Sequence, residues 1–308
     1  MDENAALDIQ KMNWPSREIL LENENLVVRL LPEVGFKIRE IYYKPKNFDL
    51  LYKPKEARES KDFRRSYFNP FPGMSYKSLD RSGIDDCIPS KQGCQIKNVG
   101  RIHSYGDVWA RNWNVRESDL SKTTCTASVR LSALPFYFER TVTLSGSSVF
   151  LHYRLLNETV SSQAWMWSLY ALAVSRPDAF LKVPGSHPYI DLETGKALEG
   201  DFGRIEKVPL DRKLAFFSPE GVEEGLAAIH YPSDGVVFKI RWDAKVLPYL
   251  AGSIETSPTS GERKLSLRPT NGYLENLEKA MDAGKAPSLL PDGEVNWDVE
   301  LSLESMEQ

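Results

Sequence analysis

Arg268 is the residue whose chemistry and setting call for an explanation. It closes the run Leu265-Ser266-Leu267-Arg268, in which leucines alternate with polar residues as in a half-buried strand, and it precedes Pro269-Thr270-Asn271-Gly272. Proline has no N–H and cannot continue a ladder in the middle of a sheet, and Asn-Gly tolerates positive φ, so a stiff turn is expected here. Leu274, Leu277 and Met281 then fall at i, i+3 and i+7, one face of a short helix. The pattern predicts Arg268 at a strand's end, held by a rigid corner, with its side chain facing a cleft. A guanidinium there offers a planar fork of donors suited to carboxylate, phosphate or sulfate. The same residues would also make a purely structural strand–turn–helix corner, which is the stronger reading of this stretch alone.

Two other stretches concentrate reactive side chains. Arg101-Ile102-His103-Ser104-Tyr105-Gly106-Asp107-Val108-Trp109-Ala110-Arg111-Asn112-Trp113 sets a histidine, a tyrosine and an acid among aromatic and basic residues. Trp165-Met166-Trp167-Ser168-Leu169-Tyr170 places a tyrosine behind two tryptophans. No two histidines stand at metal-ligand spacing, so no metal site is expected, and no cofactor motif is present. Cys87, Cys94 and Cys125 are an odd number without close pairing, which fits idle thiols better than a disulfide framework.

The elements that must carry these residues read as strands. Phe136, Phe138, Arg140, Val142 and Leu144 alternate with Tyr137, Glu139, Thr141 and Thr143. Val236–Trp242 and Trp297–Leu303 show the same period of two, the signature of antiparallel sheets with one buried face. A hairpin is expected over Glu18–Leu31, a strand over Ile38–Tyr43, and long loops from Tyr52 to Lys77. Few segments offer a helix longer than about two turns. The expected fold is an all-β, large antiparallel sandwich in one domain from 18 to 308, after a flexible tail from 1 to 17.

Composition narrows the partners. The chain has 308 residues, net charge −4, 41% hydrophobic and 27% charged residues, values of an ordinary globular protein. No basic run suggests a nucleic-acid surface, and no apolar stretch approaches the about 18 residues that span a bilayer. The acidic start Met1-Asp2-Glu3-Asn4 lacks an apolar signal region, so a cytoplasmic location is expected. Asn157-Glu158-Thr159 matches a glycosylation sequon, which without a signal peptide reads as coincidence.

In their order along the chain, these motifs resemble the galactose mutarotase-like (aldose 1-epimerase) family. The Pro248-Tyr249-Leu250 strand, the Leu267-Arg268-Pro269-Thr270 turn, the short helix and Pro291-Asp292-Gly293-Glu294 before Trp297 follow the family's ending. Pro32-Glu33-Val34-Gly35 follows its opening, with Phe36 where a second Gly is frequent. Gly83-Ile84-Asp85-Asp86-Cys87-Ile88-Pro89 resembles a Gly-Trp-Asp-Glu-x-Phe-Pro segment and places Asp86 at the acidic position. The resemblance implies a supersandwich fold, a sugar as ligand, and a cleft near Asp86, His103, Asp107, Trp109 and Arg111. Tryptophan faces at Trp109, Trp113, Trp165 and Trp167 would suit the C–H face of a pyranose, or equally a sandwich core.

The resemblance also exposes a departure. Family members exchange anomers with a Glu base and a His acid. Those positions here hold Arg268, Tyr170 and, when Gly106, Asp107 and Trp109 are aligned, Tyr105. A shift of two residues would put His103 there instead, at the loss of the Gly and Trp matches. Arginine cannot accept a proton at neutral pH, and a tyrosine of pKa about 10 is a donor rather than a shuttle. Three readings follow: an isomerase whose acid and base have moved to Asp86, Asp107 or His103; a non-catalytic sugar binder; or a uronate β-elimination lyase using Tyr and Arg. Arg268 either grips an acidic or phosphorylated sugar, or pairs with Asp86 or Asp107 in an inert cleft.

Overall fold

Period-two patterning of apolar side chains produces the architecture seen in the structure, a computed structural model that describes residues 17–53, 76, 82–185, 187–256 and 262–306. The expected tail lies almost wholly outside these residues, as do most of the loops from Tyr52 to Lys77 and most of the loop Ser257–Arg263. Two large sheets, of ten and eight strands, carry the chain. Every ladder between paired strands is antiparallel. The expected hairpin is present as Ile19–Glu22 paired with Leu26–Leu31, and Lys37–Tyr43 adds the next strand.

The two sheets share one apolar core. Val28, Ile41, Leu265 and Leu267 from the larger sheet pack in the same cluster as Phe138, Leu151, Ile240 and Leu301 from the smaller. Trp113, Trp165 and Trp167 belong to this core and are buried, so they are not sugar platforms. The alternation of Phe136–Ser145 was legible, including the inward place of Arg140, which is fully buried.

The central strands of the larger sheet are buried on their other face too, and the candidate site lies there. Four neighbouring strands matter: the acidic strand Ile84–Cys87, the tyrosine strand Ser168–Val174, the arginine strand Arg263–Thr270 and its partner Tyr249–Thr256. Leucines of the arginine strand enter the core, while Lys264, Ser266, Arg268 and Thr270 lie on the opposite face, all buried. Buried polar residues in a row need partners, and such a row is more informative than any apolar one.

Two expectations around Arg268 are corrected. The strand does not end at Arg268; it runs through Pro269, which pairs with Leu250, to Thr270. On the other side the ladder to the tyrosine strand skips Arg268 and Pro269, resuming at Thr270↔Ser168, so the proline sits where pairing is interrupted. The helix covers only Leu277–Asp282 and buries Leu277 and Ala280. Leu274 lies before it with φ +54°, and Met281 is exposed, so the three residues share no buried face.

Candidate functional site

Arg268 points neither to solvent nor to the acids expected for it. Its Nε and Nη2 donate to Glu275 Oε1 at 2.8 Å and Oε2 at 3.0 Å, a bidentate pair. Nη1 donates to the hydroxyls of Ser266 and Ser253, and Nη2 also reaches the Gly252 carbonyl at 3.5 Å. A guanidinium has five N–H donors, and all five directions meet protein acceptors. The side chain is 2% exposed and that of Glu275 is fully buried.

The turn that delivers Glu275 is strained. Leu274 and Glu275 both hold φ +54°, a left-handed conformation costing about 1–2 kcal/mol for each such residue. Gln92 holds the turn from the side: its N–H donates to Glu275 O at 2.9 Å and its amide to Leu274 O at 3.2 Å. Burial alone would raise the Glu275 carboxyl. Arg268, with Lys91 behind it, outweighs burial and holds the pKa at about 2. Burial likewise opposes the charge on Arg268, and Glu275 overcomes it, raising the guanidinium above its usual value.

Lys91 completes the floor. The segment carrying it is clamped by the loop 103–107: Tyr105 N–H donates to Lys91 O at 2.7 Å, and Asp107 N–H to Ile88 O at 3.2 Å. Gly106 permits this approach, since at its φ of +70° a Cβ would stand 1.8 Å from the Ile88 carbonyl oxygen. Phe36, at the family's frequent glycine position, likewise has φ +53°. Burial lowers the pKa of Lys91, with Glu275 opposing and Arg268 reinforcing the shift. Its Nζ lies 5.2 Å and 5.7 Å from the ring centres of Tyr105 and Tyr170, and 3.7 Å from Glu275 Oε2.

Tyr105 and Tyr170 are therefore brought together beside Arg268, packed against each other rather than open to the cleft. Tyr170 is 1% exposed; its ring stands 5.1 Å from that of Tyr105 and 5.8 Å from the Arg268 Cζ. Tyr76 stacks on Tyr105 at 4.0 Å and donates its hydroxyl to Asp85, which also pairs with Lys37. On the far side of Arg268 a second aromatic group forms from Phe217, Tyr249 and Tyr273.

The remaining expected residues lie elsewhere. Asp86 faces the sandwich core, where it accepts from Arg140 Nη1 at 2.7 Å and Trp167 Nε1 at 2.9 Å. Arg140 also donates to the Phe36 carbonyl and packs over the Phe36 and Trp113 rings. Adjacent residues of a strand point to opposite faces, so it is Asp85 that shares the outer face with Tyr170. His103, Asp107 and Trp109 line a separate pocket of about 270 Å³ together with Arg101 and Ser132. Asp107 holds that loop by accepting from the backbone of Ser132 at 2.6 Å and Ala133 at 3.3 Å, and Arg111 lies 3.8 Å from the same oxygen. Asp86, His103, Asp107 and Arg111 thus do not reach Arg268, and Arg268 pairs with neither acid.

Lys91, Gln92 and Glu275 are the residues that sequence reasoning missed. They and Arg268 form the floor of a cleft of about 1210 Å³, walled by the chain from Asp191 to Ala215. Six basic side chains line it against four acidic ones. Among the described residues no three His, Cys, Asp or Glu are grouped to hold a metal ion, and no helix is long and apolar enough to cross a membrane.

No protein-family model and no curated protein matches the sequence. Solved structures match its shape. A Synechocystis sp. PCC 6803 protein aligns with a TM-score of 0.73 at 15% identity, over 94% of this chain and 96% of that one. A galactose mutarotase-like protein from Lactobacillus casei ATCC 334 aligns with a TM-score of 0.68 at 12% identity, over 94% and 100%. Another from Clostridium acetobutylicum gives 0.70 at 13% identity, over 94% and 95%. The chain has the galactose mutarotase-like β-sandwich fold, the class that its order of motifs implied. Identities this low carry the fold, and activity must be argued from the site.

Proposed function

We propose that this protein binds a sugar bearing an acidic or phosphate group in the cleft above Arg268 and Glu275, and that it does not exchange anomers by a carboxylate base at this place. The observation that carries the reading is the closed Arg268–Glu275 pair. Ring opening of an aldose needs a base with a free lone pair and a pKa near the working pH. Glu275 has both oxygens held by one guanidinium and a pKa of about 2, which makes it a weak acceptor. Asp86, which could have replaced the base, is committed to Arg140 in the core, and Asp107 and His103 open on another pocket.

The basic excess of the lining favours an anionic sugar over a neutral one. A lyase reading would need the Arg268 fork to face a uronate carboxylate, whereas the fork faces Glu275. Calorimetric titration with glucuronate, glucose 6-phosphate and glucose tests the proposal. Binding of an acidic sugar at least about tenfold tighter than glucose is expected, a difference of about 1.4 kcal/mol. Equal or stronger binding of glucose would overturn it.

A further inference from the structure

The sugar reading leaves open which side chain meets the acidic group. Arg268 has no donor left. Lys213 is held by Glu255 at 2.9 Å, and Lys196, Lys207 and Arg212 stand exposed at the mouth. Lys91 differs from all of these. Its side chain is 15% exposed and reaches the floor, yet the nearest carboxylate oxygen is 3.7 Å away, beyond hydrogen-bond reach. Among the described residues nothing accepts a hydrogen bond from its ammonium, which has three donors to place. Glu275 is an ion-pair partner shared with Arg268, which already holds that carboxylate with two hydrogen bonds. One carboxylate against two cations leaves one positive charge over at the bottom of the cleft. An ammonium held over two neighbouring tyrosine rings, desolvated and short of acceptors, is a place prepared for an anion.

We infer that Lys91 anchors the acidic group of the ligand, a carboxylate or a phosphate, and that Arg268 serves only to fix Glu275 beneath it. The inference rests on the cleft being the sugar site, and its test separates the two. The groups facing the ammonium are Glu275 on its turn, Arg268 on the arginine strand, Cys87 on the acidic strand, Tyr105, Tyr170 and Lys213. An anion seated among them would raise the titration midpoint of Lys91, which burial now lowers.

Side-chain NMR of the lysine ammonium groups reads this directly, with the Lys91 signal assigned by its loss in Lys91→Met. Inorganic phosphate is expected to shift that signal saturably and raise its midpoint, glucose alone to leave it in place. Glucuronate and glucose 6-phosphate, run as separate arms, show which acid group fits. Lys91→Met should weaken binding of the acidic sugar by about 10–100-fold, the worth of a charged hydrogen bond, and Lys91→Arg should recover most of it. A Lys91 signal indifferent to phosphate, glucuronate and glucose 6-phosphate would overturn the inference, as would unchanged affinity in Lys91→Met. A phosphate shift without binding of any sugar would uphold Lys91 as an anion anchor and sink the sugar reading.

Discussion

Arg268 and Glu275 are seven residues apart in sequence and face each other as a bidentate ion pair, at 2.8 and 3.0 Å, beneath a basic cleft. The arginine comes from a strand and the glutamate from a strained turn. Neither charge could be buried without the other, since an unpaired ion in such a place carries a penalty of several kcal/mol.

Removing one partner should therefore be severe and removing both mild. Glu275→Gln is expected to lower stability by about 3–5 kcal/mol, because Arg268 stays buried without a counter-charge. Replacing both by apolar residues of similar volume should return to within about 2 kcal/mol of the parent. Urea unfolding of the single and double variants measures the difference.

Acid should weaken the fold over a defined window. Glu275 and Glu255 both have folded pKa values of about 2, below their reference of 4.5; burial opposes the shift, and Arg268 in one case and Lys213 in the other overcome it. A depressed carboxyl contributes stability fully above its unfolded pKa and loses it as pH falls through the folded one. Each contribution, on the order of 3 kcal/mol at neutral pH, should disappear between pH 4.5 and about 2. Urea midpoints across this range should fall steeply for the parent and less steeply for Glu275→Gln.

Asp86 should behave as a core residue. Asp86→Asn leaves Arg140 buried without its carboxylate and is expected to cost about 3–5 kcal/mol. Sugar affinity of the folded fraction should stay within about twofold, since the side chain faces away from the cleft. A large affinity loss at unchanged stability would return Asp86 to the site.

Gly106 sets how closely the loop carrying Tyr105 can approach Lys91. Gly106→Ala would drive a methyl group into the Ile88 carbonyl at a φ of +70°, which is expected to cost at least about 1–3 kcal/mol. The loop should then separate from Ile88–Lys91, seen as faster amide exchange at Tyr105 and Asp107, whose N–H groups make those bonds.

The fold was legible because its strands repeat hydrophobic and polar residues at period two over well-separated runs, as in Phe136–Ser145, Val236–Trp242 and Glu294–Ser305. The site was legible only in part. Arg268, Tyr105 and Tyr170 could be picked out by type and motif order, and the structure gathers them. Glu275 could not, because a helical reading of Leu274–Met281 hides a left-handed turn that two non-glycine residues adopt under tertiary restraint. Adjacent acids such as Asp85 and Asp86 were equally opaque. One faces the core and one faces away, and a register that sequence does not print decides between them. Lys91 carried no signal beyond following the Ile88-Pro89-Ser90 motif.

On the proposed reading, the base position has become a neutralised ion pair at the bottom of a sugar-binding cleft. Exchange NMR of glucose, galactose and glucuronate anomers, with stoichiometric protein in the same tube as the binding titration, tests it most directly. Interconversion at the buffer rate for every sugar, alongside saturable binding of the acidic one, is the expected result. Accelerated exchange that Glu275→Gln abolishes would contradict the account, because Glu275 would then be accepting protons despite Arg268.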